Sequence, residues 1–525
     1  MAIELGPQHD LAIHFESILS LLRKYRDRHP AKTAIFDLDT DRGITFGELY
    51  EASNRIAHFL DRRGVRKTDR IAILSGENLE KLIAWMGIWR YGAVVCPLNV
   101  EMNQAHLKEL LENVNPTLTL IHEELDTPEM RAGIAGEVLR FTTWDPKAKG
   151  DASAPEFFAQ VAACPAEPEI QKSNEAGDVS CIFCTSGTTS KPKCVVYNHM
   201  SYWLSGLSTI DMLGLTADDK TLEYRSFGWN SAQILSLMPF LQTGLTLHIA
   251  KRFSHSRFFE WIKAHGITFA AGVPTVVNML LNDPLGVTAD DIPTLRLMTC
   301  STAPLSPEQW DKFEKMYGVT LLQLYGMSEA GWICGNRHYR RRMGTVGPPA
   351  KHQEFLIVDG DGKPCPPGVE GEVEIGGPQT HIGAISPEGV YEDRRGTRMR
   401  TGDLATMDAD GFVRVTGRTK DLIIRGGVNI APLEIDNVLL GHPKVLEAAA
   451  VGVPDKIYGE EVIAFVVAKP GETLSAEEVR AHCAGQLPAF KAPKEVMVVG
   501  SLPRSDRGKV RRDALREEWL KSHAA

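Results

Sequence analysis

The sequence predicts an α/β protein: a large N-terminal domain of parallel-type sheets covered by helices, then a small β-subdomain, then a small α+β C-terminal domain. Three observations carry that expectation. The chain has 525 residues, more than one hydrophobic core organises. Strand-like and helix-like apolar patterns alternate through residues 1–180, and such alternation specifies helices packed on parallel strands. From Glu354 the pattern changes to short strands and turns, and from Arg418 to a mixed unit of about a hundred residues, enough for a small domain of its own.

Each element has a local cause. Thr45-Phe-Gly-Glu48 has the spacing of a capping box, and Leu49, Ala52, Ile56, Ala57 and Leu60 follow at the helical period until Gly64 ends the helix. Arg70–Leu74 reads as a buried strand, Leu79–Tyr91 as an apolar helix and Ala93–Pro97 as the next strand. The polar, Ala/Pro-rich stretch from Pro146 to Asp178 reads as a surface connection, after which strands are expected at 267–270, 295–298 and 320–323. Phe355–Val358, the turn Asp359-Gly-Asp-Gly362 and Gly371–Ile375 make up the β-subdomain. In the last unit, strands at 422–424, 448–451 and 462–467 alternate with helices at 432–440 and 475–487. The boundary is placed between 418 and 419, giving domains 1–418 and 419–525.

Composition narrows the function classes. Apolar residues at 43% and charged residues at 24% exclude a disordered or collagen-like chain. A net charge of -9 argues against a general nucleic-acid partner. Met1 to Arg28 lacks a basic segment followed by an apolar block, and no stretch approaches ~20 apolar residues, so neither a signal peptide nor integral membrane association is expected. The nine cysteines include one C-x-x-C, Cys181-Ile-Phe-Cys184, with no second pair to complete a zinc site. They read as buried thiols of a protein in a reducing cytoplasm.

The sharpest chemical feature is Thr185-Ser-Gly-Thr-Thr-Ser-Lys-Pro-Lys193, directly after the apolar run Val179–Phe183. Hydroxyls and backbone N–H groups donate, Gly187 lets the backbone approach closely, and lysine adds positive charge, which together suit a polyphosphate. By composition alone a solvated Ser/Thr loop is an equal reading. Neither the Walker GxxxxGK[ST] pattern nor a GxGxxG fingerprint occurs.

This string closely resembles the phosphate loop of adenylate-forming enzymes, the superfamily of acyl-CoA synthetases, peptide-synthetase adenylation domains and firefly-type luciferases. Its usual form is Ser/Thr-Ser-Gly-Thr-Thr-Gly-x-Pro-Lys, and this chain departs from it once, with Ser190 in place of glycine. Six further stretches resemble the superfamily's motifs in the same order. Ser301-Thr-Ala-Pro304 is similar to the adenine wall. Tyr325-Gly-Met-Ser-Glu329 resembles Tyr-Gly-x-Thr-Glu, with Ser328 keeping the hydroxyl. Thr401-Gly-Asp403 is similar to the ribose-binding segment, Gly417-Arg-Thr-Lys-Asp421 and Arg425-Gly-Gly-Val-Asn-Ile430 to the hinge and its following loop, and Pro503–Lys509 to the C-terminal lysine motif. Asp403 alone would read as a local turn, Glu329 as a solvated acid and Lys509 as a surface lysine; order and spacing change that reading.

The resemblance implies a two-step reaction with ATP, Mg²⁺ and CoA: a carboxylate attacks the α-phosphate to give acyl-AMP and pyrophosphate, and a thiol then displaces AMP. It implies that Lys509 is the main catalytic cation between acid and α-phosphate, that Glu329 holds Mg²⁺, and that Ser328 bonds the α-phosphate. Thr185, Ser186, Gly187, Thr188, Thr189 and Lys193 would cradle the outer phosphates. Tyr325 would stack on adenine against Ala303 and Pro304, and Asp403, assisted by Arg418, would take the ribose hydroxyls. The C-terminal domain would be mobile, turning at Lys420, with Gly426 and Gly427 lining a pantetheine tunnel after it rotates.

The acyl pocket implied by the resemblance involves Trp229, Asn230, Gly272, Val273, Ser301, Leu324, Gly326 and Met327. Trp229 is the gate candidate, and packing is an equal reading. Leu324 stands where many relatives carry glycine and should shorten or reshape the pocket, favouring a short, aryl or polar acid; Asn230, Ser231 and Gln233 read equally as its polar partners or as facing solvent or neighbouring helices. An acyl-CoA ligase is the favoured function, since Val451–Glu460 looks most like CoA ligases. The alternative is a stand-alone adenylation enzyme loading a separate carrier protein, and a non-catalytic nucleotide-binding regulator is disfavoured by the presence of Glu329, Asp403 and Lys509. A homodimer is allowed for. Arg340-Arg-Arg342 reads as a solvated charge run before it reads as a phosphate patch.

Overall fold

A computed structural model describes residues 13–101, 104–185, 193–303, 305–386, 388–504 and 509–523, without the side chains of 104–106, 185 and 193. Two eight-stranded sheets form the bulk of the protein. In the first, strands Thr33–Asp37, Thr246–Ile249, Lys220–Glu223, Phe269–Ala270, Leu297–Cys300 and Thr320–Met327 run parallel, and antiparallel strands Arg42–Thr45 and Gly331–Gly335 close its two edges. In the second, Val179–Thr185, Val94–Leu98, Arg70–Leu74, Leu118–His122 and Glu137–Phe141 run parallel. Beyond them lie Lys193–Asn198, Gly383–Ile385 and Tyr391–Asp393, paired antiparallel. The expected parallel sheets are therefore present, with antiparallel margins that the β/α alternation does not announce.

Helix Leu79–Tyr91 shows why the layers adhere. Asn78 caps it, Gly92 at φ 96° ends it, and all thirteen of its residues are buried. Its charged residues are paired inside: Lys81 meets Glu77 at 2.7 Å, and Arg90 Nε donates to Asn54 at 2.8 Å. Helix Phe46–Arg62, started by the Thr45/Glu48 capping box, packs against it so closely that a Cβ on Gly87 would stand 2.5 Å from Ile56. One expectation is corrected here. Residues 146–178 are not a plain surface connection, because helix Phe157–Ala162 buries Phe157, Phe158 and Val161, and Arg90 donates to the carbonyls of Ile170 and Lys172. Three apolar residues amid polar neighbours are enough to dock a short helix.

The β-subdomain is an antiparallel sheet of Glu354–Val358, Gly371–Gly376, Met399–Met407 and Val413–Arg418. From residue 419 on, Val428–Ile430, Ile423–Arg425, Gly459–Ala468, Val445–Asp455 and Glu495–Val498 build a five-stranded sheet with its own apolar clusters, flanked by helices Pro432–Leu440, Ala476–Ala484 and Arg512–Ser522. Among the described residues no helix is long and apolar enough to cross a membrane. The Arg340–Arg342 run is ion-paired: Arg341 with Glu314, and Arg342 with Asp408 and Asp410.

Two core histidines give the fold an acid limit. His199 and His248 are buried, and burial pushes both imidazoles down to about 3. Their unfolded value is ~6.5, so between pH 6.5 and 3 the unfolded chain binds protons that the native state refuses. Stability should fall as pH drops through that window, by ~1.4 kcal/mol per pH unit for each histidine. Thermal midpoints recorded from pH 7 to 4.5 should decline steadily below 6.5, and less steeply in His248→Gln; a flat profile contradicts this account.

Candidate active site

The parallel strands of both sheets deliver their C-terminal ends to one region, and in open α/β sheets that is where ligands bind. Ser75 and Glu77 follow one strand, Asn99 another, and Arg225 to Trp229, Gly272, and Ser301 to Ala303 follow three more. Gly228 touches Asn99 across the gap, since a Cβ there would lie 3.0 Å from Asn99 Cα. Beneath them sits a charge-balanced floor. Glu77 accepts from Lys81 at 2.7 Å and from Ser226 at 2.8 Å, while Glu223 binds Arg225 at 2.7 Å and Ser236 at 2.8 Å. Paired in this way, four charges are tolerated in an interior.

Strands Val179–Thr185 and Lys193–Asn198 form an antiparallel hairpin whose last pair is Thr185 with Lys193. The stretch expected to hold phosphates joins these two strands in sequence, and Ser186, Gly187, Thr188 and Thr189 lie outside the described residues, as does Pro304. The hairpin reaches directly to the Ser328–Glu329 pair. Tyr197 donates its hydroxyl to the Ser328 carbonyl at 2.9 Å, and Asn230 Nδ2 donates to the same oxygen at 3.3 Å. His381 donates to the Glu329 carbonyl at 2.7 Å through Nδ1 and at 3.0 Å through its backbone N–H. Burial lowers the His381 pKa, which keeps the ring neutral with its proton on Nδ1. Tyr197 and His381 carry no motif, and only the register of distant strands brings them here.

Tyr325 and Asp403 are bonded to each other. The Tyr325 hydroxyl donates to Asp403 Oδ2 at 2.5 Å, and Arg418 Nε meets Oδ1 at 2.9 Å. Arg418 arrives because it pairs with Asp403 across strands Met399–Met407 and Val413–Arg418. Burial and the neighbouring carboxylate raise the Tyr325 hydroxyl well above its ordinary value, so it remains a donor. A carboxylate has about four lone-pair sites, and these two bonds leave two for further donors. Gly326 is required by close approach, because a Cβ there would lie 2.3 Å from the Gly331 carbonyl oxygen.

Among the residues expected around the acid, Ser301 is buried with no partner for its Oγ among the described residues, and Gly272 holds its backbone with a 3.3 Å bond. Thr302 beside it has φ 77°, a left-handed conformation that a β-branched residue adopts only under strain from its surroundings. Val273 precedes helix Pro274–Asn282. Met327 and Trp229 are half-buried, and Trp229 leads into a π-helical segment, Gln233–Leu237, of a kind frequent at functional sites. Leu324 is 2% exposed, in the main core beside Met212 and Gly335. Of the two readings of Gln233 the internal one holds: its Oε1 takes the Tyr202 hydroxyl and its Nε2 donates to the Phe227 carbonyl at 2.6 Å, so both ends serve the fold.

Further along the chain, Lys420 is exposed in the turn Thr419–Asp421, and Gly426 and Gly427 are exposed at φ 59° and 81° between strands Ile423–Arg425 and Val428–Ile430. Lys509 is exposed next to the bridge that pairs Arg504 with Val510. Among the described residues no three His, Cys, Asp or Glu side chains are placed to hold a metal by themselves.

Residues 22–383 match the family of AMP-binding enzymes, and residues 434–509 match the AMP-binding enzyme C-terminal domain. A sulfoacetate–CoA ligase of Cupriavidus necator is 31% identical over 510 residues, covering 95% of this chain and 97% of that protein. An oxalate–CoA ligase of Arabidopsis thaliana is 28% identical, covering 96% and 99%. Among solved structures, ATP-bound MatB from Rhodopseudomonas palustris superposes with a TM-score of 0.84 at 27% identity, covering 97% of this chain and 100% of that one.

Proposed function

Since the chain belongs to the AMP-binding enzymes and is an acid–thiol ligase, we propose that it joins a short, aryl or polar carboxylic acid to CoA through an acyl-adenylate. The observation that carries this reading is the convergence of the hairpin 179–198, the Ser328–Glu329 pair and the Tyr325–Asp403–Arg418 cluster around the C-terminal ends of two parallel sheets.

Each group has a physical task. Asp403 accepts the ribose hydroxyls on the lone pairs that Tyr325 and Arg418 leave open, and the Tyr325 ring faces adenine beside Ala303. Residues 185–193 bind the outer phosphates. Ser328 donates to the α-phosphate, its backbone fixed by Tyr197 and Asn230. Glu329 is a half-exposed hard oxygen donor anchored by His381, and one carboxylate suffices for Mg²⁺ because that ion takes its other ligands from water and phosphates. When bound, Mg²⁺ supplies charge neutralisation to the triphosphate. The residues from 419 on form the domain that turns at Lys420, presenting Lys509 for adenylation and Gly426-Gly427 for thiolysis. The polar acid is supported by the sulfoacetate and oxalate named in two relatives, and by buried Ser301 Oγ. A cytoplasmic setting suits the thiols, and a homodimer remains part of the proposal to be weighed by solution mass.

Acceptor identity has a direct test. With a panel of short polar and aryl acids, free CoA should accelerate AMP release and yield acyl-CoA by mass. Release stimulated only by an acyl-carrier protein would replace this reading with the carrier-loading one.

A further inference from the structure

We propose that the ion pair Arg512–Asp436 is the positioning element that sets Lys509 for adenylate formation, pinning the lysine's segment to its own domain beside the hinge turn. Helix Arg512–Ser522 begins three residues after Lys509, and a cation in its first turn lies at the unfavourable end of the helix dipole. Docking of the helix does not explain that placement. Buried Leu515 already holds it, as does Trp519, whose indole N–H donates to Glu495 at 2.9 Å. The explanation lies in what the side chain reaches. Arg512 Nη2 pairs with Asp436 Oδ2 on helix Pro432–Leu440, and Nη1 donates to the Ala450 carbonyl at 2.6 Å. Asp436 is buried, and its Oδ1 accepts the Ala450 N–H at 2.7 Å. Burial raises the Asp436 carboxyl above its ordinary value, Arg512 opposes that, and the charge of Asp421 in the turn Thr419–Asp421 reaches both partners. The pair therefore ties together the lysine's segment, strand Val445–Asp455 and the neighbourhood of the hinge.

A second, weaker contact fixes the same segment on its other side. Arg504 pairs with Glu447 at 2.6 Å, Arg504 and Val510 form a β-bridge, and the Arg511 N–H donates to the Pro503 carbonyl at 2.8 Å. Lys509 thus stands one residue before that bridge, bracketed by contacts to Glu447 and Ala450 of a single strand. The Arg504–Glu447 pair is partly exposed, with side chains 36% and 32% accessible, and such pairs contribute little. Arg512 is the firmer hold, since its planar fork meets a buried carboxylate and a carbonyl together. Lysine carries its ammonium on a flexible four-carbon stem, so its aim depends on how firmly its backbone is held. A reacting group displaced by about 1 Å can lose roughly 10²-fold in rate.

This inference rests on Lys509 being the cation of the first half-reaction, and the experiment separates the two. Full-length enzyme is compared with Arg512→Lys and with the double variant Asp436→Asn/Arg512→Met, each with and without Lys509→Ala. The double variant removes both charges together, and an asparagine at 436 still accepts the Ala450 N–H, so the thermal midpoint should stay close to that of the parent. Its pyrophosphate exchange should fall roughly 10–100-fold, while thioester formation from supplied acyl-AMP stays within about twofold. That loss should vanish when Lys509 is already alanine, because the two substitutions then remove one and the same interaction. Arg512→Lys keeps the charge and loses the fork, and its exchange rate should fall between those of the parent and the double variant. A pair that only stabilises the fold would lower both half-reactions together, or add its loss to that of Lys509→Ala. Either result overturns the inference, as does an exchange rate unchanged in both variants. If Lys509→Ala alone leaves exchange intact, the assignment of Lys509 falls, and the positioning role falls with it.

Discussion

Lys509→Ala should lower the rate of adenylate formation by ~10²–10³ while leaving thioester formation from supplied acyl-AMP largely intact. The first half-reaction brings a carboxylate against a triphosphate, so a cation placed between them acts where charge is concentrated in the transition state. A preorganised donor of that kind is worth several kcal/mol, and its loss appears in kcat for the first step. The side chain is exposed beside the Arg504–Val510 bridge, so truncation should shift the thermal midpoint far less than it shifts the first-step rate. Acid-dependent exchange of pyrophosphate into ATP measures the first half-reaction, and acyl-CoA formed from synthetic acyl-AMP measures the second. Equal loss of both would contradict the division of labour between the two faces of the C-terminal unit.

Gly427→Val should show the opposite pattern. Gly427 turns the chain between two short strands at φ 81°, where a β-branched residue is strained by ~1–3 kcal/mol, although no atom lies within 4 Å of the position its Cβ would take. The strain is therefore conformational, and relieving it must displace the turn. If that turn lines the path of the thiol, transfer to CoA should fall by roughly one to two orders of magnitude, the rate equivalent of that strain, while pyrophosphate exchange persists. Gly427→Ala should fall between the two. A thioester step that survives valine unchanged would remove this turn from the tunnel.

Helix 79–91 and helix 432–440 are legible to the residue because local sequence bounds them: Asn78 caps the first and Gly92 ends it, while Pro432 opens the second. The capping box at Thr45 and the strand at 70–74 are legible for the same reason. What escapes is everything decided by pairing between distant segments. Cys184 and Cys181 attract attention as a C-x-x-C, yet the partner of Cys184 is Cys194, ten residues along the chain on the facing strand. Tyr197 and His381 hold the backbone at Ser328 and Glu329 without a local signature. Gln233 is the converse, a polar residue beside the site whose sequence leaves two readings open and whose bonds in the fold are internal. The motifs are legible in the sequence; the residues that hold their backbone in place emerge only from the fold.

The central claim is that the acid's own oxygen attacks the α-phosphorus of ATP. It is tested by turning over a carboxylic acid labelled with ¹⁸O in both carboxyl oxygens and examining the nucleotide by mass spectrometry. Thiolysis breaks the acyl C–O bond and leaves the bridging oxygen on phosphorus, so one label should appear in AMP and none in pyrophosphate. Unlabelled AMP, or label in orthophosphate released with ADP, would contradict the account.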